Sequence, residues 1–394
     1  MNTKSYAIVT ASYWGFTLTD GALRMLVLLY FHKLGYSPLN LAFLFLLYEF
    51  CGVLTNLLGG WIGSRVGLKA TLYAGLSVQV FALMMLSWLN PNWAMSLSVC
   101  YVMVSQALSG IAKDLTKMSS KSAVKLLVNE GDGALFKWVA ILTGSKNALK
   151  GIGFLLGGVL LTWLGFSYSL WLMAACLSMV LLAALLVLDQ DMGKSKKKVK
   201  FTQLFSKSRE INQLSTARFF LFASRDVWFV VALPVFLKSQ LSWSFNQVGT
   251  FMAAWVVGYG IVQAIAPRLI QHKKMGQSAA RWVGILAIVT AALSVSMTLN
   301  FHPLISIFLG LGIFGIIFAI NSAIHSYLIL AYTSGDQVAL NVGFYYMANA
   351  WGRLIGTLLS GLVFIYGGLA ACLWTSAIML IAAFVVTLPL KFRS

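Results

Sequence analysis

The chain has 394 residues, of which 59% are hydrophobic and only 10% charged, and it carries a formal charge of +19. A soluble domain is about 25% charged, so this chain has too little polar surface to cover a globule in water, and lipid must be its solvent. Soluble enzymes and soluble binding modules are thereby excluded.

Apolar runs of about 20 residues, the length that crosses ~30 Å of hydrocarbon, recur along the whole chain. They predict twelve helical spans at roughly 6–31, 39–62, 70–89, 93–113, 138–164, 168–188, 213–237, 246–267, 282–300, 304–330, 338–365 and 369–389. The ten-residue alternation of a membrane β-barrel is absent. The first run carries Asp20 and Arg24 and no cleavage site of small residues after a short apolar core, so it reads as a permanent span. Turn signals part the spans at Gly35-Tyr36-Ser37-Pro38, Asn90-Pro91-Asn92, His302-Pro303 and Gly367-Gly368. Residues 189–212 are polar and lysine-rich, and divide the chain into six-span bundles at 1–188 and 213–394. Cys51, Cys100, Cys176 and Cys372 fall inside apolar runs without paired spacing, so neither disulfide nor metal is expected.

Lys and Arg set the orientation. With the N-terminus inside, cytoplasmic segments hold 21 of the 29 basic residues, and external loops hold only Lys33 and Lys238. Both termini are then cytoplasmic. The basic charge reports membrane orientation, and nucleic acid is not expected as a partner.

The halves repeat each other. Thr10-Ala11 precedes Asp20 by the same interval at which Thr216-Ala217 precedes Asp226. Lys150-Gly-Ile-Gly-Phe-Leu-Leu-Gly-Gly158 in span 5 aligns with Arg353-Leu-Ile-Gly-Thr-Leu-Leu-Ser-Gly361 in span 11, five of nine positions being identical. A weaker alignment sets Lys113 against His325. Two six-helix repeats joined by a basic linker resemble the major facilitator superfamily. So does Gly60-Trp-Ile-Gly63-Ser64-Arg65-Val-Gly67-Leu68-Lys69, where Ser64 replaces that signature's acid and Leu68 its second Arg. The implied fold is all-α and polytopic, with twelve transmembrane helices in two pseudo-symmetric six-helix bundles.

Charge inside the membrane is the functional signal. Arg24, Lys146, Lys150, Arg218, Arg225 and Arg353 lie within predicted spans, opposed by Asp20, Glu49 and Asp226. Each charge facing lipid would cost roughly 2.5–3.5 kcal/mol, so these groups must face one another or a wet cavity. The cationic excess suits a multiply charged anion. Asp20 and Arg24, four apart on one face, are either a structural ion pair or part of the site. Arg225 and Asp226 diverge by ~100° on a helix and need partners on other helices. Lys146 and Lys150 share a face and repel each other, which a bound anion would offset. Arg218 is expected to snorkel to the headgroups. Glu49 is either a contact between the halves or a proton carrier. Asn321 and His325 share a face, and His325 is either a packing residue or a coupling group. Lys113, Lys117, Lys121 and Lys125 form a slowly winding stripe, read as a solvated or lipid-headgroup face with Lys113, the deepest, reaching the cavity. The glycine clusters lie inside apolar spans and are no phosphate loop, and no nucleophile set, zinc cluster or cofactor motif stands out.

Several polar runs are more specific. Phe16-Thr-Leu-Thr-Asp20-Gly-Ala-Leu-Arg24-Met-Leu, Ser109-Gly-Ile-Ala-Lys113-Asp114-Leu-Thr-Lys117-Met-Ser, Ile141-Leu-Thr-Gly-Ser-Lys146-Asn147-Ala-Leu-Lys150-Gly, Ala217-Arg218-Phe-Phe, Arg225-Asp226-Val-Trp228-Phe-Val and Trp351-Gly-Arg353 resemble the ArsJ family of organoarsenical efflux permeases. The resemblance runs from Tyr13 to about Gly361. It implies efflux of 1-arseno-3-phosphoglycerate across a bacterial cytoplasmic (inner) membrane, in partnership with a glyceraldehyde-3-phosphate dehydrogenase that makes it. Arg24, Lys146, Lys150, Arg225 and Arg353 are then expected to bind substrate, with Asn147 and Lys113 beside them. Asp20, Asp226, Glu49 and His325 are expected to gate or couple, the two aspartates holding the arginines when the site is empty. An organic-phosphate or sugar-phosphate exchanger would need the same cationic cavity. An exporter of organic cations would need the opposite charge, and a polytopic membrane enzyme would need a nucleophile or metal set.

Overall fold

A chain in hydrocarbon has no water to satisfy its backbone, so each crossing must close its own hydrogen bonds as a helix. The computed structural model describes residues 3–127, 134–188, 208–270, 275–332 and 338–390. Among these every regular element is helical. The first half contains α1 (Thr3–Lys33), α2 (Pro38–Val66), α3 (Leu68–Ser87), α4 (Met95–Leu127), α5 (Ala134–Trp163) and α6 (Gly165–Val187). The second half contains α7 (Arg209–Phe229), α8 (Ala232–Ser239), α9 (Phe245–Leu269), α10 (Met275–Thr298), α11 (Pro303–Ile305), α12 (Leu311–Ala331) and α13 (Val338–Thr387). Most of the 189–212 linker lies outside the described residues, as do the side chains of Ser64, Arg65, Lys121, Lys125 and Lys137.

Nine described stretches are long and apolar enough to cross a membrane. One of them, Asn341–Thr387, has the length of two crossings. It bends at Gly367 and Gly368, where Gly368 has φ 62° and ψ −157°, a conformation open essentially to glycine alone. Helices α1 and α5, of 31 and 30 residues, are long enough to cross but carry charges in their middle. The layout is consistent with the twelve predicted crossings. Predicted span 7 is two helices, because Pro234 cannot donate to Val230 and its ring crowds that carbonyl. The amides of Val231 and Ala232 at the break donate instead to Ser360 Oγ, at 3.2 and 3.0 Å.

Polarity is inverted relative to a soluble protein. Leu186, Ile288, Ile378 and Val385 are exposed, whereas Glu49, Asp114, Asp226 and Asn321 are fully buried. Close helix approach positions the buried charges. A Cβ at Gly21 of α1 would strike the Lys150 carbonyl of α5 at 2.5 Å, so this glycine sets Asp20 against Lys150. Between the halves, a Cβ on Gly144 of α5 or Gly260 of α9 would lie 2.6 Å from the other's carbonyl oxygen.

The apolar cores differ at the two ends. Away from the chain termini, one cluster joins both halves, including Leu26, Phe31 and Phe154 with Trp228, Phe229 and Val230. Toward the termini, separate clusters serve each half, one around Val9, Leu72 and Leu177, the other around Leu214, Ile324 and Tyr345. The halves are therefore sealed together at one end and separately cored at the other.

Candidate functional site

Between the middle of the helices and the end that carries the termini lies a cavity with about 1160 Å³ of empty space, counting the part open to solvent. Eight cationic side chains line it: Arg24, Lys113, Lys117, Lys146, Lys150, Arg218, Arg225 and Arg353. Asp114 and Asp226 are also in the wall, and Asp20 and Glu49 pair with its cations from behind. Among the described residues, eight cations against these four carboxylates leave a formal surplus of four positive charges. In low dielectric such a surplus attracts anions far more strongly than it would in water.

The ion pairs form a layer near the middle of the helices. Asp20 accepts from Lys150 Nζ at 3.1 Å and from Tyr48 Oη at 2.6 Å. Asp226 accepts from Arg353 Nε at 3.2 Å, and from Arg225 through Nε at 2.7 Å and the terminal nitrogen at 2.5 Å. Glu49, with no exposed surface, takes Arg24 of its own half at 3.3 Å and Arg353 of the other half at 2.5 Å, both on Oε1. Its Oε2 and one terminal nitrogen of Arg24 are buried without a hydrogen bond. Arg353 thus joins the two halves through one guanidinium.

Three expectations about these pairs are corrected. Asp20 and Arg24 do not pair with each other: the Gly21 contact brings Lys150 to Asp20, and Arg24 turns to Glu49 while its guanidinium lies 5.0 Å from the Phe45 ring. Asp20 therefore holds a lysine, and of the two aspartates only Asp226 holds arginines. Arg225 and Asp226 do pair with each other, because the long Arg225 side chain curls back across the divergence of their Cβ atoms.

Two basic residues assigned elsewhere also belong to the cavity. Lys117 is buried, bonded to Asp114 at 2.7 Å and to Asn56, and 4.7 Å from the Tyr346 ring of the other half. It lies on neither a solvated nor a lipid-headgroup face. Arg218 is 4% exposed and does not snorkel: Nε donates to Asn349 Oδ1 at 2.9 Å, and a terminal nitrogen to Ser322 Oγ at 3.0 Å. The motif Ala217-Arg218-Phe-Phe was the sequence signal for it. Sequence reasoning also missed Ser322, Gln263 and Asn349, neutral residues that no charge count can find.

The remaining expected residues fall as follows. Lys113 lines the cavity, 3.8 Å from Asp114 and 4.0 Å from the Tyr48 ring. Lys146 is in the wall, as is Asn147, which donates to Gln263 across the halves at 2.6 Å. His325 is not in the wall: it is buried with neither ring nitrogen bonded, one turn from the equally unbonded amide of Asn321. Among the described residues, no group of three His, Cys, Asp or Glu side chains is placed to hold a metal.

Known proteins fix the family. The sequence model of the Major Facilitator Superfamily matches residues 8–230 and again 214–394, covering nearly the whole chain. The chain belongs to the Major Facilitator Superfamily. Comparison with curated proteins returns no match. Among solved structures it is similar to a D-xylose-proton symporter (TM-score 0.74, 13% identity, 98% of this chain and 97% of that one). It is also similar to the human organic anion transporter MFSD10 (TM-score 0.70, 15% identity, 98% and 100%). A bacterial homologue of the iron transporter ferroportin matches in its outward-facing state (0.70, 14% identity, 98% and 100%) and in its inward-facing state (0.69, 15% identity, 100% of both chains). At these identities the likeness shows the superfamily fold alone. Transport across a membrane is the activity class that goes with it, and the wall chemistry must speak for the cargo.

Proposed function

We propose that this superfamily member exports an anionic organic compound, 1-arseno-3-phosphoglycerate, from the bacterial cytoplasm across the inner membrane and so confers resistance to arsenate. One observation carries the reading: eight cations face a cavity in which four carboxylates oppose them. Arsenate and phosphate oxygens are held bidentately by Arg and as point charges by Lys, and the wall offers both. With both termini cytoplasmic, the cavity faces the cytoplasm, and the joint apolar core at the opposite end is the closed gate. The ArsJ resemblance supplies the name of the compound, and with it a partner dehydrogenase as its source.

The mechanism follows from exchange of partners. In the empty cavity Glu49, Asp20 and Asp226 hold the cations, and an entering oxyanion competes with them for Arg24, Lys150 and Arg353. Displacing Glu49 from Arg353 undoes a tie between the halves, which frees them to rock about the bound anion. A ligand shifts this equilibrium only through its different affinity for the two states, and a partner-exchanging arginine provides one.

Cells expressing the protein together with a glyceraldehyde-3-phosphate dehydrogenase that accepts arsenate are expected to resist arsenate and gain nothing against arsenite. Arsenate resistance without the dehydrogenase, or resistance to arsenite alone, sinks the reading. Counterflow of glycerol phosphates unaffected by the arsenylated product would identify an organic-phosphate exchanger instead.

A further inference from the structure

Helix α7 presents Arg218, Phe222, Arg225 and Phe229 to the cavity, spaced four, three and four residues apart along one face. The Phe222 ring lies between the two arginines, its centroid 4.0 Å from the Arg218 guanidinium carbon and 4.8 Å from that of Arg225. The two guanidinium carbons are therefore less than about 9 Å apart. Their surroundings differ in kind. Arg225 is neutralised by Asp226. Arg218 meets no carboxylate among the described residues: its partners are Asn349, the carbonyl and hydroxyl of Ser322, and the faces of Phe222 and Tyr345.

A guanidinium stays charged in proteins, and burying it without a counter-ion is costly. Ser322 Oγ is also approached by Tyr259 Oη at 3.2 Å and Gln263 Nε2 at 3.3 Å. Three donor side chains thus converge on one hydroxyl in the cavity wall, a neighbourhood rich in donors and poor in negative charge. We propose that Arg218, with Ser322 and Gln263, forms a second oxyanion subsite, so that the cavity selects an organic compound bearing two anionic groups over one bearing a single group. One group replaces carboxylates in the mid-helix layer, and the other sits at Arg218, where nothing negative must be displaced. The proposal rests on the reading of the cavity as an organic-anion site and names its specificity-determining pole.

The test uses the purified full chain in detergent and two stable probes, propane-1,3-diyl bisphosphate and propyl phosphate, titrated calorimetrically. The parent is expected to prefer the bisphosphate by about tenfold or more, the effect of one charge-assisted contact. Arg218→Gln should weaken the bisphosphate by about tenfold or more and remove the preference, leaving both probes with the affinity of one anion in the mid-helix layer. Asn349→Asp supplies the missing carboxylate, so it should remove the same preference without lowering thermal stability, which covers the case of an Arg218→Gln chain that fails to fold. A preference that survives Arg218→Gln or Asn349→Asp overturns the subsite. A parent that binds both probes equally overturns the subsite alone. A parent that binds neither overturns the anion-transport reading together with it.

Discussion

The two halves carry the same ion pair in two copies, and the copies are wired differently. Asp20 of α1 meets Lys150 of α5 at 3.1 Å, and Asp226 of α7 meets Arg353 of α13 at 3.2 Å. The acids are repeat partners, and so are the bases. In the first half the lysine ends there, a single point of charge held inside one bundle. In the second half the guanidinium has a second edge, which crosses to Glu49 of α2. The internal repeat therefore supplies a symmetric scaffold, and one Lys-to-Arg difference makes the tie between the halves one-sided. Among the described residues this is an ion pair between the halves, and in the proposed cycle a charged ligand breaks it.

The sharpest way to break the comparison is to make the second copy like the first. Arg353→Lys keeps the charge but has no planar fork to hold Asp226 and Glu49 together. The tie forfeits one charge-assisted contact, worth ~1.5–3 kcal/mol in general. Export from vesicles is expected to fall about ten- to hundredfold, with inserted yield unchanged. Parent-like export by Arg353→Lys would show that the tie to Glu49 is not part of the cycle.

How far this was legible in the sequence depends on whether a property is local or is set by packing. The helical fold was legible because hydrocarbon leaves the backbone no alternative, and the repeat was legible because Lys150 and Arg353 open matching nine-residue runs. The partners were legible only in part. An interval of four suggested Asp20 with Arg24, but Gly21 lets α5 come close enough for Lys150 to win. A terminal position suggested that Arg218 reaches the headgroups, but Ser322 of α12 and Asn349 of α13, more than a hundred residues away, hold it inside. Neither α12 nor α13 marks that contact with a charge. Helix axes are written in hydrophobic pattern, whereas the rotation of one helix against another is written in small residues and neutral polar groups spread over many positions.

A smaller effect should separate the two acids. Asp226 holds two arginines and Asp20 one lysine and one tyrosine. Asp226→Asn leaves Arg225 without a carboxylate and Arg353 with Glu49 alone, so an anion should bind more tightly and leave more slowly. Asp20→Asn frees only Lys150, and its gain in binding and loss of turnover should both be smaller, by about three- to tenfold. Equilibrium binding of propane-1,3-diyl bisphosphate measured beside the export rate decides the order. If Asp20→Asn is the more damaging of the two, the one-sided arrangement is wrong. If it lowers folded yield while binding is unchanged, its pair with Lys150 is structural.

The smallest expected effect tests a contact that the first copy has and the second lacks. Tyr48 donates to Asp20 at 2.6 Å, a neutral hydroxyl in the place where Asp226 has Arg225. The Tyr48 ring also lies 4.0 Å from Lys113 Nζ and 5.6 Å from the Arg24 guanidinium, contacts that a phenylalanine would keep. Tyr48→Phe therefore removes the hydroxyl alone. Because the Lys150 pair still neutralises Asp20, the expected loss is one neutral-donor hydrogen bond, ~0.5–1.5 kcal/mol, or about two- to tenfold in turnover. Were the hydroxyl only filling space, export and thermal stability would both match the parent. A loss near that of Arg353→Lys would mean instead that Tyr48 carries Asp20 through the cycle, and the first copy would then be as mobile as the second.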